Sequence, residues 1–240
     1  VSEPLEARNL VRLFGDERAV DGVDFQVRSG EIHAIVGLNG AGKTTLMRLL
    51  LGMVAPTSGK ALIDGVNARS APPDVWVRVG SLTETPFSYP ELTVTENLQA
   101  AALLHGVKDV RARVARVIDE FELGHWTHRR ARALSLGNQQ RLGLAAALIH
   151  RPSILILDEP ANALDPAGVV FIRDLMRAAA ERDAAVMVSS HHLDQLARVA
   201  DRISVLHRGR LIGTLDTHGT DLEQEFFDIV YRDDRERGLA

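Results

Sequence analysis

The segment Gly37-Leu38-Asn39-Gly40-Ala41-Gly42-Lys43-Thr44 constrains this chain more than any other, because it matches G-x-x-x-x-G-K-[ST] at every fixed position. The mostly apolar run Ile32-His33-Ala34-Ile35-Val36 leads into it and reads as a buried strand. A helical pattern with Leu46, Leu49 and Leu50 on one face leaves it. Strand, glycine loop and helix in that order form a phosphate-binding unit. The glycines let backbone N–H groups curl around a β-phosphate without side-chain clash. Lys43 is expected to neutralise the β- and γ-phosphates, and the Thr44 hydroxyl to sit on Mg²⁺. The helix beginning there aims its positive end at the anion.

Such a unit needs carboxylates, and Ile154-Leu155-Ile156-Leu157-Asp158-Glu159 supplies two at the end of a second buried strand. Asp158 is placed to hold Mg²⁺ through its water shell. Glu159 points the other way, because strand side chains alternate, and is free to act as general base on an attacking water. Pro160 ends the ladder.

Composition narrows the alternatives. The 240 residues suffice for one sizeable core, or one core with a small appended subdomain. There is no cysteine, which excludes a disulfide scaffold, a thiolate metal site and a cysteine nucleophile. Twenty-eight basic against 32 acidic residues, a net charge of −4, provide no basic field for sheathing nucleic acid. The longest uncharged apolar run, Leu142 to Ile149, falls far short of the ~18 residues a spanning helix needs. The opening Val1-Ser2-Glu3-Pro4 lacks a signal layout, so the chain is expected to be soluble, with any membrane crossing left to another polypeptide.

The remaining pattern organises around these strands. Leu10–Phe14 and Val23–Val27 read as small antiparallel strands, and 56–70 as a hairpin through Asp64-Gly65. From 86 to 150 the pattern is helical: Thr95-Glu96-Asn97-Leu98 opens one helix, and Val110, Val114, Val117, Ile118 and Phe121 form a stripe on another. Helix 166–182 and strands 185–190 and 203–206 follow, and the alternation argues for a mostly parallel sheet covered on both faces. An amphipathic helix is expected from Asp221, and Arg232–Arg237 as a solvated, frayed tail. His125-x-x-His128 lacks a third ligand nearby and reads as a solvated helix end.

Leu134-Ser135-Leu136-Gly137-Asn138-Gln139-Gln140-Arg141 precedes the carboxylate strand, and Ala163-Leu164-Asp165 and Ser190-His191 follow it. Phosphate loop, Leu-Ser-x-Gly element, Asp-Glu-Pro, Leu-Asp and His in this order resemble the nucleotide-binding subunits of ATP-binding cassette (ABC) transporters, from about Leu5 to Leu215. The resemblance implies an α/β P-loop NTPase fold, with a mostly parallel RecA-like sheet, a small N-terminal antiparallel β subdomain and an inserted helical subdomain. It implies one domain over 1–240: an ATP-binding core in 1–85 and 151–220, a helical subdomain over 86–150, and a C-terminal helix and tail over 221–240.

Carried over residue by residue, Phe14 matches the aromatic that stacks on adenine, where the family more often has Tyr. Asn39, Gly40, Ala41, Gly42, Lys43, Thr44 and Thr45 match the phosphate loop and the start of its helix. Ser135 and Gly137 match the signature element that contacts the γ-phosphate held by the opposite subunit, and Asp165 the loop bridging the subunits. His191, in preference to His192, matches the histidine that bonds the γ-phosphate and positions water. Glu84 stands where the family usually has the Gln that touches Mg²⁺ and senses the membrane partner. That Glu, and Leu136 in place of a Gly, are similar to the bacitracin- and lantibiotic-resistance group.

The implied protein hydrolyses ATP with Mg²⁺, using Glu159, His191 and Glu84 as catalytic residues and Thr44, Glu84 and Asp158 as metal-side ligands. It pairs with a second ATP-binding subunit, most simply its own copy. It exports a drug, antibiotic or peptide through an integral membrane permease subunit, from the cytoplasmic face of the membrane and without nucleic acid. The alternatives are a soluble ABC ATPase acting on ribosomes or DNA, disfavoured by the modest insert and single phosphate loop, and a GTPase or small-molecule kinase. The last lacks an Asn-Lys-x-Asp base reader and leaves Ser135-Leu136-Gly137 unexplained.

Overall fold

The computed structural model describes residues 3–83, 88–217, 219 and 221–238. Two sheets carry the fold. The first is antiparallel and four-stranded, built from β1 (Leu5–Phe14), β2 (Glu17–Val27), β4 (Ser58–Ile63) and β5 (Val66–Asn67) in the order β2-β1-β4-β5. The second is six-stranded and runs β10-β9-β3-β8-β7-β6, from β3 (Ile32–Val36), β6 (Val79–Leu82), β7 (Ile154–Asp158), β8 (Ala185–Ser189), β9 (Arg202–His207) and β10 (Arg210–Leu215). Its strands are parallel except for β10, which returns antiparallel on β9. This is the mixed α/β architecture expected from the sequence.

The central strands are buried on both faces because their side chains alternate between two cores. Ile35, Ile154, Ile156 and Met187 face the antiparallel sheet and α1 (Lys43–Leu50), where Leu46, Leu49 and Leu50 complete the packing. Ala34, Leu155, Leu157, Val186 and Val188 face the opposite core. That core is shared with α3 (Val94–Leu104), α4 (Val110–Glu120), α5 (Leu136–Leu148) and α6 (Pro166–Ala180). Two short helices, α2 (Pro73–Trp76) and α7 (Leu193–Ala197), and the longer α8 (Leu222–Glu236) complete the α-helices among the described residues.

Local chemistry sets several boundaries. Helix α3 starts at Val94, one residue earlier than the pattern predicts, because Thr93 and Glu96 form a reciprocal capping box. Strands β1 and β2 extend well beyond the segments read as Leu10–Phe14 and Val23–Val27. The expected frayed tail is a correction: α8 continues through Arg232 to Glu236 as ordered helix. Its Asp234 Oδ1 accepts from His207 Nε2 at 3.0 Å, with Arg208 Nε at 3.3 Å. That partner pair lies 26 to 27 residues upstream, so periodicity in the tail carries no trace of it.

His33 is the one histidine of β3, and it is nearly sealed. Its Nδ1 lies 2.9 Å from the Gln26 carbonyl, which can only accept, so Nδ1 carries the proton and Nε2 accepts from the Ser204 hydroxyl at 2.8 Å. Burial pushes its pKa down to about 3, outweighing the upward pull of the Gln26 carbonyl. The unfolded chain protonates this ring near pH 6.5, so its stabilising contribution is present above that pH and lost as pH falls toward 3. His150, lowered to about 4 chiefly by burial, adds to the same slope. The unfolding temperature of the native chain should therefore fall from pH 7 to pH 5, and His33→Gln should flatten part of that dependence.

Candidate functional site

Parallel pairing brings the loops after β3, β7 and β8 to one edge of the sheet, where ligands of open α/β folds bind. Register makes the alignment definite: Ser189 is paired with Asp158 on one side and with Ile35 on the other. The phosphate loop leaves β3 at this edge.

Backbone contacts decide which loop positions must be glycine. A Cβ on Gly37 would lie 2.3 Å from the Leu206 carbonyl oxygen, and one on Gly42 2.2 Å from that of Ala19. Gly42 also adopts φ +106°, a left-handed value that side chains resist. No side chain caps the N-terminus of α1, which leaves its first N–H groups open to an anion. Leu38, Asn39 and Gly40 form the exposed rim of the loop.

Lys43 is buried beneath that rim, its Nζ donating to the carbonyls of Gly37 at 2.7 Å and Leu38 at 3.3 Å. Burial pushes its pKa below the usual lysine value, against the opposing pull of the Glu159 and Asp158 carboxylates. Beside it, the Thr44 hydroxyl donates to Asp158 Oδ2 at 2.6 Å. The other Asp158 oxygen accepts from the Ser189 hydroxyl at 2.5 Å, and Ser189 Oγ itself accepts from the Glu159 N–H at 3.0 Å. Asp158 is only 3% exposed, so these two hydroxyls supply the hydrogen bonds that a buried carboxylate requires.

Glu159 turns away from Asp158 with φ +49°, an unusual conformation for a non-glycine residue. Its carbonyl and that of Pro160 accept from Gln140 Nε2 at 3.4 and 2.9 Å, tying α5 to the end of β7. Its carboxylate oxygen Oε2 lies 2.9 Å from His191 Nδ1. His192 instead packs its ring on His191.

The structure thus gathers Lys43, Thr44, Asp158, Glu159 and His191 at one place. Ser135 is the N-cap of α5, its Oγ accepting from Asn138 N–H. Gly137 packs on the loop after β7, where a Cβ would reach 2.9 Å from the Ala163 carbonyl, and Asp165 caps α6. Exposed Leu136 marks this end of α5 as open surface. Phe14 ends β1, half exposed, with the Arg12 guanidinium 4.4 Å from its ring centroid. Glu84 lies outside the described residues. Sequence reading passed over Ser189 and Gln140. Ser189 could have been found as the one hydroxyl closing the strand that begins Ala185-Val186-Met187-Val188, whereas Gln140 carries no local signal.

Sheet order, glycine loop and clasped carboxylate define a P-loop nucleotide-binding protein. Residues 20–162 match the ABC transporter family. The chain belongs to that family. It is similar to the bacitracin transport ATP-binding protein BcrA of Bacillus licheniformis, with 38% identity over 213 residues that cover 88% of this chain and 69% of that one. It is similar also to the lantibiotic transport ATP-binding protein SrtF of Streptococcus pyogenes, at 32% identity over 93% of this chain and 95% of that one. Among solved structures, it resembles a dimeric ATP-binding cassette in a post-hydrolysis state with ADP and Pi. That likeness has a TM-score of 0.81 and 25% identity, over 90% of this chain and 99% of that one.

The close approach at Gly37 makes a direct test. Gly37→Ala must push the Leu206 carbonyl aside, which should cost about 1–3 kcal/mol of stability in denaturant unfolding.

Proposed function

We propose that this ATPase binds ATP with Mg²⁺ at the Lys43–Asp158–Glu159 cluster, pairs with a second cassette, and powers export of a drug or peptide antibiotic through a separate membrane subunit. The observation that carries the reading is the Asp158–Glu159 division: one carboxylate clasped by hydroxyls beside the phosphate loop, its neighbour aimed at His191. The Thr44 hydroxyl and the Asp158 carboxylate are oxygen donors of the kind Mg²⁺ selects, and these two residues would hold it. When bound, the ion supplies positive charge against the phosphates.

The chain's own groups divide the remaining work. Lys43 exchanges the Gly37 and Leu38 carbonyls for β- and γ-phosphate oxygens, and the open N–H groups of α1 take the β-phosphate. Glu159 withdraws a proton from the attacking water, and His191 holds the Glu159 carboxylate in place and faces the γ-phosphate. Phe14 offers its free face to adenine. The positive end of α5 at Ser135, with exposed Leu136 beside it and Gly137 giving close access, completes the site of a partner cassette. Asp165, beside them on the same surface, contributes to that junction.

A place for the membrane subunit is suggested by a cavity of about 420 Å³ between the sheet edge and the helical segment. Trp76, Leu82, Thr83, Tyr89, Ala101 and Leu104 line it. Met53 and Leu104 there are largely exposed, an apolar surface suited to a partner. Among the described residues no helix is long and apolar enough to cross a membrane. The preference for antibiotic or drug export follows the bacitracin and lantibiotic transport relatives.

Glu159→Gln tests the chemistry. Removing a general base should slow ATP hydrolysis by about 10²–10⁴-fold while leaving ATP affinity intact, and should leave an ATP-stabilised dimer visible by size-exclusion chromatography. Hydrolysis at the native rate would contradict the assignment of Glu159.

A further inference from the structure

Helix α8 takes no part in the cluster of the phosphate loop, yet it reaches that loop through one turn. Strand β9 ends at His207 and β10 begins at Arg210, so Arg208 and Gly209 alone make the connection. Both have positive φ, +45° and +78°, as a two-residue hairpin turn that matches strand twist demands. Gly209 meets that demand freely, whereas Arg208 is a side-chain-bearing residue held in a disfavoured conformation.

This turn is wedged against the phosphate loop. The Gly209 N–H donates to the Ala41 carbonyl at 2.9 Å, and the Gly209 carbonyl accepts from Asp21 N–H at 2.8 Å. A Cβ on Gly209 would lie 2.9 Å from the Arg18 carbonyl, and one on Gly42 would reach to 3.6 Å from the Gly209 Cα. The preceding strand is equally close, since the Leu206 carbonyl is what forbids a side chain at Gly37. The backbone of Leu206 and Gly209 therefore walls the loop at Gly37 and Ala41, while at Gly42 the Ala19 carbonyl is the nearer wall.

To these backbone bonds a carboxylate on α8 adds side-chain contacts. Asp234 Oδ1 accepts from His207 Nε2 and pairs with Arg208 Nε, seizing the two residues that enter the turn. His207 is 8% exposed and Asp234 18%, so the contact is shielded enough to hold geometry. We propose that Asp234 is a positioning residue for nucleotide binding: through His207 and Arg208 it holds the strained turn whose Gly209 N–H braces the phosphate loop at Ala41. The C-terminal helix thereby sets how tightly the loop closes on phosphates. This rests on the reading of the loop as an ATP site.

The test uses the purified full chain with ATP·Mg²⁺, measuring KM, kcat and the unfolding temperature. Asp234→Ala removes both contacts and should raise KM by about five-fold, a fraction of the worth of a charge-assisted hydrogen bond reaching the loop, with kcat within about two-fold of native. Asp234→Asn keeps an oxygen acceptor without the charge and should fall between native and Asp234→Ala. Val230→Ala, at a buried position of the same helix, should lower the unfolding temperature and leave KM unchanged. An unchanged KM in Asp234→Ala, or an equal rise in Val230→Ala, overturns the proposal. If Asp234→Ala fails to fold, Asp234→Asn decides alone: a raised KM with native kcat supports it, and a native KM overturns it. Failure of the native chain to bind ATP would instead overturn the nucleotide reading itself.

Discussion

The rest of the site depends on the hydrogen-bonded burial of the Asp158 carboxylate. A charge at 3% exposure is tolerated only when its oxygens are satisfied, and here each takes a hydroxyl from a different element. Thr44 comes from the first turn of α1 and Ser189 from the end of β8, so one carboxylate joins the phosphate loop to the two central strands. Ser189 passes the constraint on, because the same oxygen that donates to Asp158 accepts the Glu159 N–H. Glu159 is thereby held in its left-handed conformation with its side chain toward His191.

Much of this was legible in the sequence, and the reason is locality. The spacing Gly37 to Thr44 encodes a loop whose form depends on its own backbone and the two flanking elements. Ile154–Leu157 followed by Asp158 and Glu159 reads as a buried strand delivering two carboxylates to opposite sides. Register after β8 favours His191 over His192, and His191 Nδ1 lies 2.9 Å from Glu159 Oε2.

The illegible parts are those made by distant partners. Ser189 and Gln140 become visible only when β8 and α5 meet the end of β7. The C-terminal residues read as solvated charge because Arg232 to Arg237 are all charged, yet Asp234 has its partners on β9 and in the turn after it. Charge patterning alone cannot separate a frayed tail from a helix anchored through one carboxylate. Turn Arg208-Gly209 was hidden for the same reason, since its tightness reflects the loop it braces as much as its own residues.

The most direct test of the account is the magnesium dependence of ATP affinity, measured by calorimetry for the native chain and for Asp158→Asn. If the Asp158 carboxylate anchors the metal side of the site, the native chain binds ATP more tightly with magnesium than without, and Asp158→Asn loses most of that difference while remaining folded. A variant that keeps the full magnesium effect would contradict the central role given to this residue.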